Sequence, residues 1–169
     1  MALKRLAFTL AALGAMTLAA SAAEPKPNLI QQYNAWGAYA YSSDKGKICY
    51  VLSVPTAEKP KNVDHGDVYF MISQRPSQNI SYQPEAEMGY DLKDGSKVDV
   101  SIDGKGFAMF TKGKRAWVEN AAQEPALVST MRAGHTMTVK AVSERGTNTE
   151  YTFSLSGVTA ALDKVKNCQ

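Results

Sequence analysis

The sequence predicts an all-β sandwich with two short helices. Three observations carry that reading. Several segments alternate apolar and polar residues with period two, the mark of a strand with one buried face. Gly, Pro, Asn and Asp gather between those segments, where turns need them. The 169 residues, 44% hydrophobic and 21% charged, suit one globular domain and exclude disorder or collagen-like repetition.

In chain order, Tyr33–Tyr41 carries aromatics on a near-alternating pattern. Lys47–Val54 follows and stops at Pro55. Asp67–Gln74 is a continuous apolar run ended by Arg75-Pro76, as expected of a central strand covered on both faces. In Lys97–Asp103, Val98, Val100 and Ile102 share one face. The turn cluster 103–106 then leads into Phe107–Thr111, which predicts a hairpin. Arg115–Glu119 adds a short strand. His135–Val142 alternates through Met137, Val139 and Ala141, and Glu150–Ser156 through Tyr151, Phe153 and Leu155. These segments amount to six to eight strands. One helix is expected over 125–133, with Pro125 in its first turn, an apolar stripe of Leu127, Val128 and Met131, and Gly134 at its end. A second is expected over 158–166, with Val158, Ala161, Leu162 and Val165 on one side.

Residues 1–23 have the form of a secretory signal peptide. Lys4 and Arg5 precede an uncharged run from Leu6 to Ala20, and small residues allow cleavage near Ala22 or Ala23. A spanning helix needs about 20 apolar residues, more than this run offers, and no later stretch reaches that length. The expectation is a periplasmic or secreted protein: a flexible lead-in over 24–32, then a single domain over 33–169. Removing Lys4 and Arg5 lowers the formal charge from +3 to a single positive excess, too little to argue for nucleic acid. Cys49 and Cys168 are the two cysteines. Their even number in an oxidising compartment predicts a disulfide. By the chain-entropy argument, a loop that long contributes up to about 4–5 kcal/mol.

No catalytic set is recognisable. The motifs G-x-S-x-G, H-E-x-x-H and the phosphate loop are all missing. His65 stands among Asp64, Gly66 and Asp67, a composition that favours a solvated turn ahead of a strand over a metal site. Asp99 and Asp103 fall on the polar side of their strand, without the apolar surroundings that acid–base chemistry requires. The sequence therefore predicts no cofactor and no metal. The suggestive feature is basic and aromatic: Lys112, Lys114 and Arg115 beside Trp117, with Arg75 and Arg145 at other strand ends. Such residues form surfaces that bind anionic or protein partners.

In order along the chain stand Trp36-Gly37, Cys49-Tyr50-Val51-Leu52-Ser53-Val54-Pro55, Ser73-Gln74-Arg75-Pro76, Gly89-Tyr90 and Phe110-Thr111-Lys112-Gly113 with Ala116-Trp117. Met131-Arg132-Ala133-Gly134, Ser143-Glu144-Arg145-Gly146-Thr147, the 151–157 block, Ala160-Ala161 and Cys168 follow. With these, the chain resembles the invasion-associated locus B family of exported alphaproteobacterial proteins. The resemblance implies an immunoglobulin-like antiparallel β-sandwich, a periplasmic or outer-envelope location and an association with host-cell invasion in pathogenic members. It implies no catalytic residues. Some members carry a further cysteine pair near the first strands; this chain has none there. The resulting expectation is a non-enzymatic envelope protein that acts through its surface on a protein or cell-envelope partner. The alternatives are a periplasmic hydrolase using His65 with Asp64 or Asp67, and a small-ligand carrier with a cavity between the sheets.

Overall fold

The computed structural model describes residues 27–168, so the expected leader lies outside the described residues. The strands are β1 (Asn28–Tyr33), β2 (Trp36–Ser43), β3 (Gly46–Ser53), β4 (Ala57–Lys59), β5 (Tyr69–Arg75) and β6 (Ile80–Glu87). They continue as β7 (Lys97–Ile102), β8 (Lys105–Lys112), β9 (Arg115–Val118), β10 (Thr136–Val142) and β11 (Asn148–Ser154). Every pairing is antiparallel, and one open sheet runs β1-β2-β3-β5-β6-β9-β8-β7-β10-β11-β4. The sheet folds over on itself as a sandwich does. Phe70 of β5 meets Phe153 of β11 edge-on at 6.2 Å, and the Trp36 indole N–H of β2 donates to the Ser154 carbonyl at 2.9 Å.

The alternation read from the sequence sets the inner face. Val98, Val100 and Ile102 are buried beside Met137 and Val139 of the neighbouring β10. Val51, Phe70 and Ile72 line the other half of the same core. The helices fall where their apolar stripes predict: α1 at Glu124–Ala133 and α2 at Val158–Val165. Gly134 does close α1, but with φ −89°, so it is not the left-handed cap that a terminal glycine suggests. Glycine is required there by proximity, since a Cβ would press on the Ile102 and Leu155 side chains. Gly157, ahead of α2, needs both freedoms. Its φ is +93°, and a Cβ would overlap the Tyr33 carbonyl oxygen. α2 packs against the inner side of β2 and β3, where the Gln74 amide donates to the Val165 carbonyl. The Cys49–Cys168 disulfide closes this layer across Cα atoms 5.8 Å apart.

Three strands were not expected. β1 takes up Asn28–Gln32 of the stretch read as a lead-in, because Asn34 in left-handed conformation turns the chain back onto β2. β4 is three residues long, too short for periodicity to register. β6 contains Pro84 and two glutamates, which mask a strand signal. Its ladder to β9 covers only Glu85–Glu87, so Pro84 lies where β6 has β5 alone as a neighbour, and the missing N–H is tolerated.

Candidate interaction surface

Strand pairing divides the six cationic and aromatic candidates into separate places. Arg115 and Trp117 are two residues apart on β9, so they share its outer face, while Ala116 and Val118, which alternate with them, are buried. Lys112 pairs with Arg115 across the β8–β9 turn and is exposed. Arg75 ends β5, close enough for its charge to act on Glu85. Lys114 lines a groove with Arg145. Among the described residues, no ion pair engages Lys112, Lys114 or Arg145.

Register builds a band across the outer face. Leu52 lies opposite Met71, Met71 opposite Glu85, Glu85 opposite Trp117, and Trp117 opposite Phe110. One row over, Tyr39 lies opposite Tyr50, Tyr50 opposite Ser73, and Ser73 opposite Gln83. Tyr39 and Tyr50 stack at 5.1 Å, Tyr41 meets Tyr50 edge-on at 6.4 Å, and Phe110 leans on Trp117 at 5.7 Å. The inner face of β3 and β5 carries Cys49 and Gln74, so α2 and the disulfide lie on the opposite side from this band.

Glu85 is the anomaly of the band. It points outward, yet only 3% of it is accessible. Its Oε2 accepts the Trp117 indole N–H at 3.1 Å. Arg115 reaches Oε1 with Nε at 3.4 Å and Glu87 with Nη2 at 3.3 Å. At that distance the Oε1 contact is a charge pairing and supplies no hydrogen bond, so Oε1 lacks a hydrogen-bond partner. The Ser73 hydroxyl on the same face is also buried without one. Burial raises the Glu85 pKa above the usual carboxylate range, against the opposing pull of Arg115 and the Trp117 hydrogen bond. Burial, together with Tyr39 and Tyr41, also pushes the Tyr50 hydroxyl up to about 12.

His65 is not the solvated side chain of a turn that its neighbours suggest. It is 6% accessible and lies edge-on to Tyr151 at 5.3 Å. Its Nε2 donates to the Pro60 carbonyl at 2.9 Å, and Nδ1 is 2.8 Å from the Tyr151 hydroxyl. The polar chain continues from Tyr151 to the Tyr90 hydroxyl at 2.9 Å and on to Thr149 Oγ1 at 2.6 Å. Burial and Tyr90 raise the Tyr151 pKa. The sequence hides this because Tyr151 lies 86 residues away on β11. Asp64 does what a turn residue does: its carboxylate accepts the Gly66 N–H at 2.9 Å. Asp67 interacts with Tyr69. Neither acid is bonded to the imidazole, whose two ring nitrogens meet the Tyr151 hydroxyl and the Pro60 carbonyl. His65, Tyr90 and Thr149 line a groove of about 490 Å³ together with Lys114, Arg145, Asp91 and Glu144.

Asp103 belongs to a turn, with φ +47°. Its carboxylate accepts the backbone N–H groups of His135 and Thr136 at 2.8 and 3.1 Å, which lowers its pKa. It pins α1's exit to the β7–β8 hairpin. Among the described residues, no group of three His, Cys, Asp or Glu side chains gathers as a metal site would require.

Fold and surface together define a disulfide-closed antiparallel all-β domain whose least satisfied polar atoms lie on the outside of the sheet. A disulfide fits an oxidising compartment, and no helix among the described residues is long and apolar enough to cross a membrane. The chain belongs to the invasion associated locus B (IalB) family, whose model matches residues 36–166. Among curated proteins and among solved structures, none matches it.

Proposed function

We propose that this protein is exported through its N-terminal leader and works in the cell envelope as a binding protein, without catalysis, recognising a protein or envelope component through its outer sheet face. The contribution to host-cell invasion or colonisation that the family's description carries is part of the same proposal. The observation that carries it is the Glu85–Arg115–Trp117 cluster: a desolvated carboxylate with one oxygen lacking a hydrogen bond, held at the surface between an arginine and an indole. Tyr, Trp and Arg are the side chains that dominate binding energy at interfaces. A buried polar atom left without a hydrogen bond costs about 1–3 kcal/mol, and a partner's donor recovers it.

The test is quantitative affinity capture from native envelope, comparing the wild type with Arg115→Ala/Trp117→Ala and with Lys112→Ala/Lys114→Ala. The expected result is loss of the specific partner from the first variant. The second, which removes exposed unpaired cations, weakens capture only at low salt. An unchanged set of partners in Arg115→Ala/Trp117→Ala rejects the outer face as the binding surface.

A further inference from the structure

His65 lines two grooves: the one it shares with Tyr90 and Thr149, and a second of about 500 Å³ beside Ala57 and Glu58 of β4. A file of close polar contacts starts at its ring. Nδ1 is 2.8 Å from the Tyr151 hydroxyl, which is 2.9 Å from the Tyr90 hydroxyl. Tyr90 is 2.6 Å from Thr149 Oγ1, and Thr149 Oγ1 is 3.2 Å from the Ala141 carbonyl. On the other side of the ring, Nε2 is 2.9 Å from the Pro60 carbonyl. A carbonyl only accepts, so Nε2 carries a proton whatever Nδ1 does. The neutral tautomer with its one proton on Nδ1 is excluded.

Proton counting leaves two arrangements of the file. Four contacts join Nδ1 to the Ala141 carbonyl, and three hydroxyls supply three protons for them. In the neutral ring Nδ1 accepts: Tyr151 donates to it, Tyr90 donates to Tyr151, and Thr149 donates to Tyr90. The empty contact is then the longest, between Thr149 and Ala141. An empty contact nearer the ring would set two lone pairs against each other at 2.9 Å or less. In the imidazolium Nδ1 donates, each hydroxyl turns round, and Thr149 Oγ1 donates to Ala141. All four contacts are then hydrogen bonds. Burial keeps the Tyr151 hydroxyl protonated, so the file changes by rotation of O–H bonds and not by loss of a tyrosine proton.

We infer that His65 is a proton-operated switch: one proton taken up at Nδ1 reverses the Tyr151–Tyr90–Thr149 hydroxyl file and closes the Thr149 bond to Ala141, adding a side-chain tie across the β10–β11 pair. The file reverses as a unit, because each O–H has one acceptor in line on either side and neighbouring bonds polarise one another. Charged groups of both signs surround the site. Glu58 faces it from β4, Lys61 and Asp64 from its own segment, and Asp91 from beside Tyr90. Lys114, ahead of β9, and Glu144 and Arg145, after β10, line the shared groove. Among the described residues none of these bonds the imidazole, whose polar partners are the Pro60 carbonyl and the file. Both grooves give solvent protons a way to the ring. This inference stands independently of what binds the outer face.

Nuclear magnetic resonance of the protein purified after export, with labelled histidine, tyrosine and threonine, tests it from about pH 8 to about pH 5, where histidine changes charge. His135→Asn, which alters an exposed ring, assigns the His65 signals. At the alkaline end Nε2 is expected at an N–H shift and Nδ1 at a lone-pair shift. On acidification Nδ1 should move upfield to an N–H shift while Nε2 stays. The Cζ carbons of Tyr151 and Tyr90 and the Cβ of Thr149 should follow the same curve. Tyr90→Phe cuts the file: His65 should still take up its proton, and Thr149 should stop following. If that variant does not fold, the wild-type curves decide alone. The inference is overturned by an Nδ1–H tautomer at the alkaline end, or by a ring that keeps one protonation state throughout. It is also overturned if His65 titrates while Tyr151 and Tyr90 stay still, or if Thr149 still follows in folded Tyr90→Phe.

Discussion

His65 and Glu85 are both ionisable and both buried, one on the inner side of the fold and the other on the outside of the sheet. Around His65, each ring nitrogen has a partner, and the hydroxyls of Tyr151, Tyr90 and Thr149 extend the chain. Around Glu85, Oε1 and the nearby Ser73 hydroxyl lack a hydrogen bond, and Oε1 has only the Arg115 charge at 3.4 Å. Satisfied buried networks rigidify a core and fix its geometry. Unsatisfied ones cost stability and are met at functional or strained sites. The comparison separates a satisfied network at His65 from a strained group at Glu85; the sequence reads the first as a solvated turn and gives no signal for the second.

The largest effect tests the structural half. His65→Ala leaves a cavity and strips partners from Tyr151 and the Pro60 carbonyl, so chemical denaturation should show a loss of about 2–4 kcal/mol. Capture of the envelope partner by the folded fraction should be unchanged. If binding disappears while stability holds, the assignment is reversed.

Arg115→Ala comes next. It leaves the buried Glu85 carboxylate with the Trp117 indole and the weaker Arg75 charge, and about 1–2 kcal/mol should be lost at neutral pH, less than for a fully buried pair because Arg115 is half exposed. In a Glu85→Gln background the same substitution should cost much less, and a double-mutant cycle measures the difference.

The pH dependence of stability gives a smaller signal of defined sign. A carboxyl whose folded pKa is raised binds its proton more tightly when folded. Glu85 therefore makes stability fall as pH rises from its unfolded value of 4.5 through the raised folded value. Glu85→Gln should remove that slope in urea titrations across the same range. An unchanged slope would show that Glu85 is not desolvated.

Asp103 provides the smallest and opposite effect. Its folded pKa is lowered, so its contribution is present above the unfolded 3.8 and is lost as pH falls through the lower folded value. Asp103→Asn should flatten the acid limb of the melting-temperature profile and leave the neutral limb alone. Because the side chain is exposed, the change should be modest.

Much of the fold was legible because its causes are local. Val98, Val100 and Ile102 alternate on one strand; Pro125 and the Leu127–Met131 stripe declare α1. The face shared by Arg115 and Trp117 was legible too, since Ala116 and Val118 alternate with them. The rest of the surface was not. Lys114 and Arg115 are neighbours in the chain, yet one lines the groove and the other joins Glu85, because adjacent residues at a strand start can face different ways. β6 was hidden because Pro84 argues against a central strand until the length of the β9 ladder is known.

By itself, the sequence determined the all-β class, both helices and the cysteine pair, because period-two and helical patterns, turn chemistry and cysteine parity act over a few residues or need only a count. Only the tertiary structure decided that His65 is buried, that Glu85 lies between Arg115 and Trp117, and that β1 ends the sheet. Those outcomes depend on strand order and register, which bring together residues 30 to 90 positions apart in the chain, and no local pattern encodes that distance.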